Sequence, residues 1–377
     1  MSTAAAIILF AAVTMYAIFG GADFGAGFWD LTAGGAERGR QPRGVIDHSI
    51  GPVWEANHVW LIFVFVVLWT CFAEAYASIT LTMFVPLTIA AFGIVLRGAS
   101  FAFRKAVFRI RAQRHFGAIF AVSSVLVPYC FGAVAGGIAS GRVPAGGQAG
   151  DPWNSWVNPT SIVVGVLAVC VTAYVAAVLL TWDAGRLSDD AMVAYFRIRA
   201  VVAGVVAGVV ALVGLFVLRS DAKYIFDGLT SRALPLVVVS AIAGVVALVL
   251  LRGRPRRGGR VAAVIAAGAL VLGWGVAQWD YLLPETLTVS QAGAPAGTIT
   301  AVLVAAVLAA LLIVPAFALL YTLDQKSLLP EEGVEEGPDE ATGSRTPDES
   351  LSSYSADPAT SSGPAQPQNS PPHSSDQ

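Results

Sequence analysis

The chain has 377 residues, 56% hydrophobic and 13% charged, with a mean hydropathy of +0.68; a soluble domain carries roughly 25% charged residues. The formal charge of −2 divides into +7 before Asp324 (21 basic, 14 acidic residues) and −9 from there on (2 basic, 11 acidic). A cytosolic enzyme, a nucleic-acid binder and a disulfide-stapled secreted scaffold are excluded, and an all-α polytopic membrane protein remains.

A hydrocarbon core about 30 Å thick needs about 20 apolar residues in a helix, because lipid satisfies no exposed backbone group. Nine stretches qualify: 4–28, 51–70, 76–103, 116–139, 159–181, 200–218, 234–251, 261–279 and 298–323. The first follows an uncharged start and leads into Gly20-Gly21-Ala22-Asp23, unlike a cleaved signal peptide, and reads as a retained span. The odd-numbered connectors carry 17 Lys and Arg, the even-numbered ones 4. Positive charge stays cytoplasmic, so the N-terminus is expected outside and the C-terminus inside. The residues from 324 to 377, acidic and then Ser/Pro-rich, lack the apolar content to offset ordering entropy and read as a disordered cytoplasmic tail after a 1–323 helical domain. Two GxxxG patterns, Gly21 to Gly25 and Gly204 to Gly208, predict close helix contacts.

Chemistry is sought first at ionisable residues within spans, which are costly there. Asp23 lies late in span one, Glu55 and His58 open span two, and Arg97 lies within span three, where a carboxylate or carbonyl partner is expected. Glu55 and His58 are three apart and share a helical face, so they could exchange a proton, while Asn57 points elsewhere. The plain alternatives are an acid stabilised by the macrodipole at a helix start for Glu55 and an interfacial acid bonded to nearby backbone for Asp23. Haem ligation by this chain is poorly supported, since His48 and His115 fall in connectors and His373 in the tail. Cys71, Cys130 and Cys170 are far apart and read as buried apolar residues, and no metal site is expected.

The segments Gly21-Ala22-Asp23-Phe24-Gly25-Ala26-Gly27 and Ile50-Gly51-Pro52-Val53-Trp54-Glu55-Ala56-Asn57-His58-Val59-Trp60-Leu61-Ile62 closely resemble subunit II of the cytochrome bd-type quinol oxidases. Leu96-Arg97-Gly98-Ala99-Ser100-Phe101-Ala102-Phe103-Arg104 is similar to that family's third-span signature. Ala277-Gln278-Trp279-Asp280-Tyr281-Leu282-Leu283-Pro284 is similar to the segment before its last helix, notably in the cyanide-insensitive branch. The resemblance implies nine helices in two four-helix bundles plus one peripheral helix. It also implies a heterodimer with a haem-bearing subunit I that holds haem b, a haem d (or b) and the quinol site, in a bacterial cytoplasmic membrane, with small accessory subunits and bound lipid as further partners. The same likeness gives no haem to this chain and implies a structural quinone or lipid beside Trp54. Asp23 and Glu55 match family acids, Glu55 one implicated in proton entry, and Asn57 and Trp60 match the same signature. Ala56, His58, Ala102 and Asp280 depart from it. His58 replaces an acceptor with a group that titrates near neutrality and joins Asp23 and Glu55 as a candidate for proton transfer. Ala102 replaces an acid, so Arg97 or Arg104 needs another partner. The rival reading is a proton-coupled secondary transporter of small metabolites, though no inverted repeat is visible and the acids lie toward one face.

Overall fold

The computed structural model describes residues 1–35, 37–50, 54–106, 110–253 and 257–325, with the side chains of 50, 54–56, 104–106, 110–114, 257, 321, 324 and 325 outside that description. The described residues are helical almost throughout. Helix α1 (Ser2–Thr32) is followed by α2 (Arg40–Ile50), α3 (Trp54–Cys71), α4 (Ala73–Thr82), α5 (Phe84–Ala106), α6 (Ile110–Ala139), α7 (Pro159–Arg186), α8 (Asp190–Asp221), α9 (Lys223–Thr230), α10 (Leu234–Leu250) and α11 (Arg257–Gln278). A two-stranded antiparallel hairpin, β1 (Tyr281–Leu283) and β2 (Leu287–Thr288), the short α12 (Val289–Ala292) and the long α13 (Ala296–Gln325) complete it.

Among the described residues, seven helices are long and apolar enough to cross a membrane, or nine if two bent pairs each count as one span. The protein is an integral membrane protein. The expected third span, 76–103, is corrected: it divides at Met83, and α4 folds back from α3 by 120°. The reason is a polar stripe. Glu74, Ser78 and Thr82 recur every four residues on α4, and their oxygens accept the backbone N–H groups of Gly146, Gly147 and Gly150 at 2.8, 3.0 and 2.9 Å. Gly146 and Gly147 have φ of +89° and +67°, a conformation that glycine adopts without strain. This helix therefore carries the connector after α6, while Phe72, fully buried, forms the elbow. Two stretches read as connectors are also helical, α2 and α9. Asp324 and Gln325 belong to α13, and the rest of the expected tail, including the separate unit Val334–Gln377, lies outside the described residues.

Local chemistry sets the helix ends. Asn158 caps α7, its side chain accepting Ser161 N–H at 2.9 Å with Pro159 as first helical residue. Asp189 caps α8 by accepting Met192 N–H at 3.0 Å. Pro128 and Pro315 lie inside α6 and α13, as transmembrane helices tolerate.

Packing centres on α1, which touches α3, α6, α7 and α11. Its glycines permit this. A Cβ at Gly25 would overlap the Thr172 carbonyl of α7, and one at Gly27 would overlap the Ser124 side chain of α6. The second GxxxG is only half used: Gly204 lies against Tyr174 and Leu248, whereas Gly208 faces open space. By contrast α13 packs on α1 and α3 along one edge and buries nothing of its most apolar stretch.

Candidate functional site

The close approach of α1 to α6 and α7 places Asp23 inside the protein, 5% exposed, nine residues or about 14 Å from the end of its helix. Arg97 of α5 meets it, itself 1% exposed. The guanidinium donates to Asp23 Oδ1 at 2.7 Å and Oδ2 at 2.8 Å, and also to the Asp23 backbone carbonyl at 3.1 Å. Its Nε donates to Ser124 Oγ at 2.9 Å, and that hydroxyl donates onward to the Phe120 carbonyl at 2.7 Å. Phe24 and Phe120 flank the cation, with ring centroids 5.0 and 4.7 Å from its central carbon. The expectation that Arg97 pairs with a carboxylate or carbonyl is met by both groups of Asp23. A fork-to-fork pair of this kind is charge-neutral as a unit, which lets both charges persist in an apolar interior.

Helix α3 brings His58 to the same place. Its ring lies 6.2 Å from those of Phe24 and Tyr16, and its Nδ1 is buried without a hydrogen-bond partner. The Tyr16 hydroxyl is likewise buried and unpartnered. Tyr16 sits seven residues before Asp23, two helical turns away on one face, and Phe131 of α6 closes the aromatic wall at 5.8 Å. The structure thus gathers Asp23, Arg97, His58 and Tyr16 around Phe24. Asn57 is buried, and Trp60 stacks on Phe19 at 6.5 Å beside Phe317 of α13. Glu55 and Trp54 occupy the first two positions of α3, but their side chains lie outside the described residues. Sequence reasoning did not pick out Tyr16 or Ser124; the seven-residue offset from Asp23 was the signal for Tyr16.

A second ion pair lies at the far end of the bundle from the α1–α2 turn. Arg142 grips Asp221 through both carboxylate oxygens, at 2.6 and 3.0 Å, and Thr160 Oγ1 donates to the same acid at 2.6 Å. At the α1–α2 turn itself, Arg43 Nε donates to the buried Asp30 at 2.6 Å and its terminal nitrogen to the Gly34 carbonyl at 2.7 Å. Among the described residues no three His, Cys, Asp or Glu side chains converge where they could hold a metal ion.

The sequence pattern of the family described as cytochrome bd terminal oxidase subunit II matches residues 1–324. The chain belongs to that family. A curated relative from Bacillus subtilis (strain 168), cytochrome bd ubiquinol oxidase subunit 2, is 29% identical over 112 residues, which make up 30% of this chain and 32% of the relative. The match thus spans about a third of that protein's length. Among solved structures, the bd oxidase from Geobacillus thermodenitrificans aligns with a TM-score of 0.72 at 24% identity, covering 85% of this chain and 98% of that one. That likeness establishes the all-helical fold. Within this cytochrome bd subunit II chain, the paired Asp23 and Arg97 both fall in the blocks on which the resemblance rests.

Proposed function

We propose that this chain is the haem-free second subunit of a quinol:O2 oxidoreductase, seated against a haem-bearing subunit I and supplying it with protons. Membership of the subunit II family over residues 1–324 is the observation that carries this reading. Reducing one O2 to two waters takes four electrons, from two quinols, and four protons. A reducing centre buried in a membrane needs a protonatable route to it.

In this reading Glu55 takes up the proton at the start of α3 and His58, one turn on, receives it. The imidazole is suited to that step because one ring nitrogen, Nδ1, is buried without a partner and free to accept. Asp23 and Arg97, bonded through both carboxylate oxygens, lie with His58 around Phe24. Asp23, gripped at both oxygens, thus acts mainly by holding charge in place. In this reading nine spans fall into two four-helix bundles plus one peripheral helix, with the N-terminus outside and the C-terminus on the cytoplasmic side of a bacterial membrane.

Glu55→Ala in the tagged, intact complex tests the proton role. Turnover of quinol is expected to fall about 100-fold with haem content unchanged; unaltered turnover ends the proton role, and loss of haem assigns Glu55 to assembly. A reduced-minus-oxidised visible spectrum of the purified complex separates the oxidase from the transporter, since a solitary, colourless chain defeats the oxidase.

A further inference from the structure

Tyr16, Phe24 and His58 form a triangle of rings where α1 meets α3. Ring centroids lie 6.5 Å apart for Tyr16 and Phe24, and 6.2 Å apart along each of the two sides that end on His58. Phe131 of α6 meets Tyr16 edge-on at 5.8 Å, and Phe24 meets it edge-on as well. Gly20, one helical turn on, leaves room for the phenol: a Cβ there would stand 2.9 Å from the Tyr16 ring. These contacts fix the phenol beside the imidazole.

Within this wall the Tyr16 hydroxyl and His58 Nδ1 are both buried, and neither has a hydrogen-bond partner among the described residues. The two atoms are complementary, since a phenol O–H both donates and accepts and a neutral imidazole nitrogen accepts. Their polar neighbours are committed. Both Asp23 oxygens accept from Arg97, and the Ser124 hydroxyl lies between Arg97 and the Phe120 carbonyl. On the side of α13 the group beside α3 is the apolar Phe317, and Glu55, on the same helix as His58, has its side chain outside the described residues. Leaving a buried polar group unpaired is costly, and joining these two removes both penalties at once. With the rings 6.2 Å apart, a turn of the imidazole or one bridging water makes the connection.

We propose that Tyr16 is the positioning residue of His58, its hydroxyl hydrogen-bonded to Nδ1 in both protonation states of the ring. This rests on the reading of His58 as a proton carrier. While the imidazole is neutral the hydroxyl donates to Nδ1; when Nδ1 takes up a proton, the O–H turns away and its oxygen accepts the new N–H. Tyr16 neither gains nor loses a proton, and no charge is added to the interior. A carboxylate in its place would bond only to the protonated ring and hold the proton there, whereas a hydroxyl serves both states and leaves His58 able to pass the proton on.

The test is Tyr16→Phe in the intact tagged complex, which keeps the ring with its contacts and removes one oxygen. Solid-state nitrogen NMR of the complex grown with isotope-labelled histidine reads the bond, and His58→Phe identifies the His58 signals by their loss. Tyr16→Phe is expected to move the His58 Nδ1 signal and to lower quinol turnover about tenfold, the effect of losing one hydrogen bond to a charged group, with haem content unchanged. An unmoved signal overturns the proposal whatever the turnover. A moved signal with full turnover, when His58→Phe is slow, overturns the positioning role and leaves the proton reading standing. Full turnover in His58→Phe ends the reading of His58 as a proton carrier, and this proposal with it.

Discussion

Arg97–Asp23 and Arg142–Asp221 are both bidentate pairs, and they differ in where they sit. Arg97 and Asp23 have side chains 1% and 3% exposed and lie in the interior, walled by Phe24 and Phe120; Arg142 and Asp221 are 31% and 18% exposed and join a connector to the end of α8. The same contact geometry has different consequences. Inside, each charge depends wholly on its partner, because removing one strands the other in low dielectric. At the helix end, water can replace a lost partner, and the pair serves to position the connector after α6 against α7 and α8.

The sharpest way to break the comparison is Asp23→Ala. It strands Arg97 and is expected to cost about 3–5 kcal/mol, read as a lowered unfolding midpoint of the purified complex, whereas Asp23→Ala/Arg97→Met should recover most of the loss. Gly27→Val attacks the same pair from behind. Its side chain would displace Ser124, the acceptor of Arg97 Nε, at an expected cost of about 1–3 kcal/mol. Asp221→Ala is the counterpart at the helix end and should cost only about 1–2 kcal/mol, measured the same way. A loss there equal to that of Asp23→Ala would erase the distinction drawn between the two pairs.

The smallest effect lies in the connector that Arg142 helps to place. Asp151 accepts the backbone N–H groups of Asn154 and Trp153, each at 2.8 Å, and the Asn154 side-chain amide at 3.0 Å. These bonds favour the carboxylate and hold its pKa below the usual aspartate range. A depressed folded-state pKa means that the turn's contribution is complete above the unfolded value, about 3.9, and is lost as pH falls through the lower folded one. Fluorescence of Trp153 and Trp156 should therefore change only below about pH 4, and Asp151→Asn should remove the step. A change centred near neutrality would show another group in control.

Which residues carry chemistry was legible where rarity marked them. Asp23, His58 and Arg97 stand out as ionisable groups in apolar stretches, and the need of Arg97 for a carboxylate or carbonyl followed from the cost of an unpaired charge. That Asp23 is the carboxylate did not follow, because Asp23 and Arg97 are separated by 74 positions in the chain and only the packing of α1 and α5 joins them. Tyr16 and Ser124 escaped notice because neutral hydroxyls are common in membrane helices; their meaning comes from what lies opposite. The start of the expected span 76–103 was misplaced for a related reason, while 84–103 is a candidate span. Ala73 to Thr82 is apolar enough to pass for the start of a span, and its Glu74, Ser78 and Thr82 stripe becomes informative only once the backbone of residues 146–150 is seen to bind it.

The sequence by itself determined that this is a helical membrane protein, roughly where its helices run, and which family it joins. Those properties follow from local hydropathy and from contiguous motifs, both of which can be read along the chain. Tertiary structure decided which charges meet, which donors are left without acceptors, and which apolar helix folds back instead of continuing into the next span. Each depends on groups far apart in sequence converging at a given depth, where a low dielectric makes every pairing, or its absence, count.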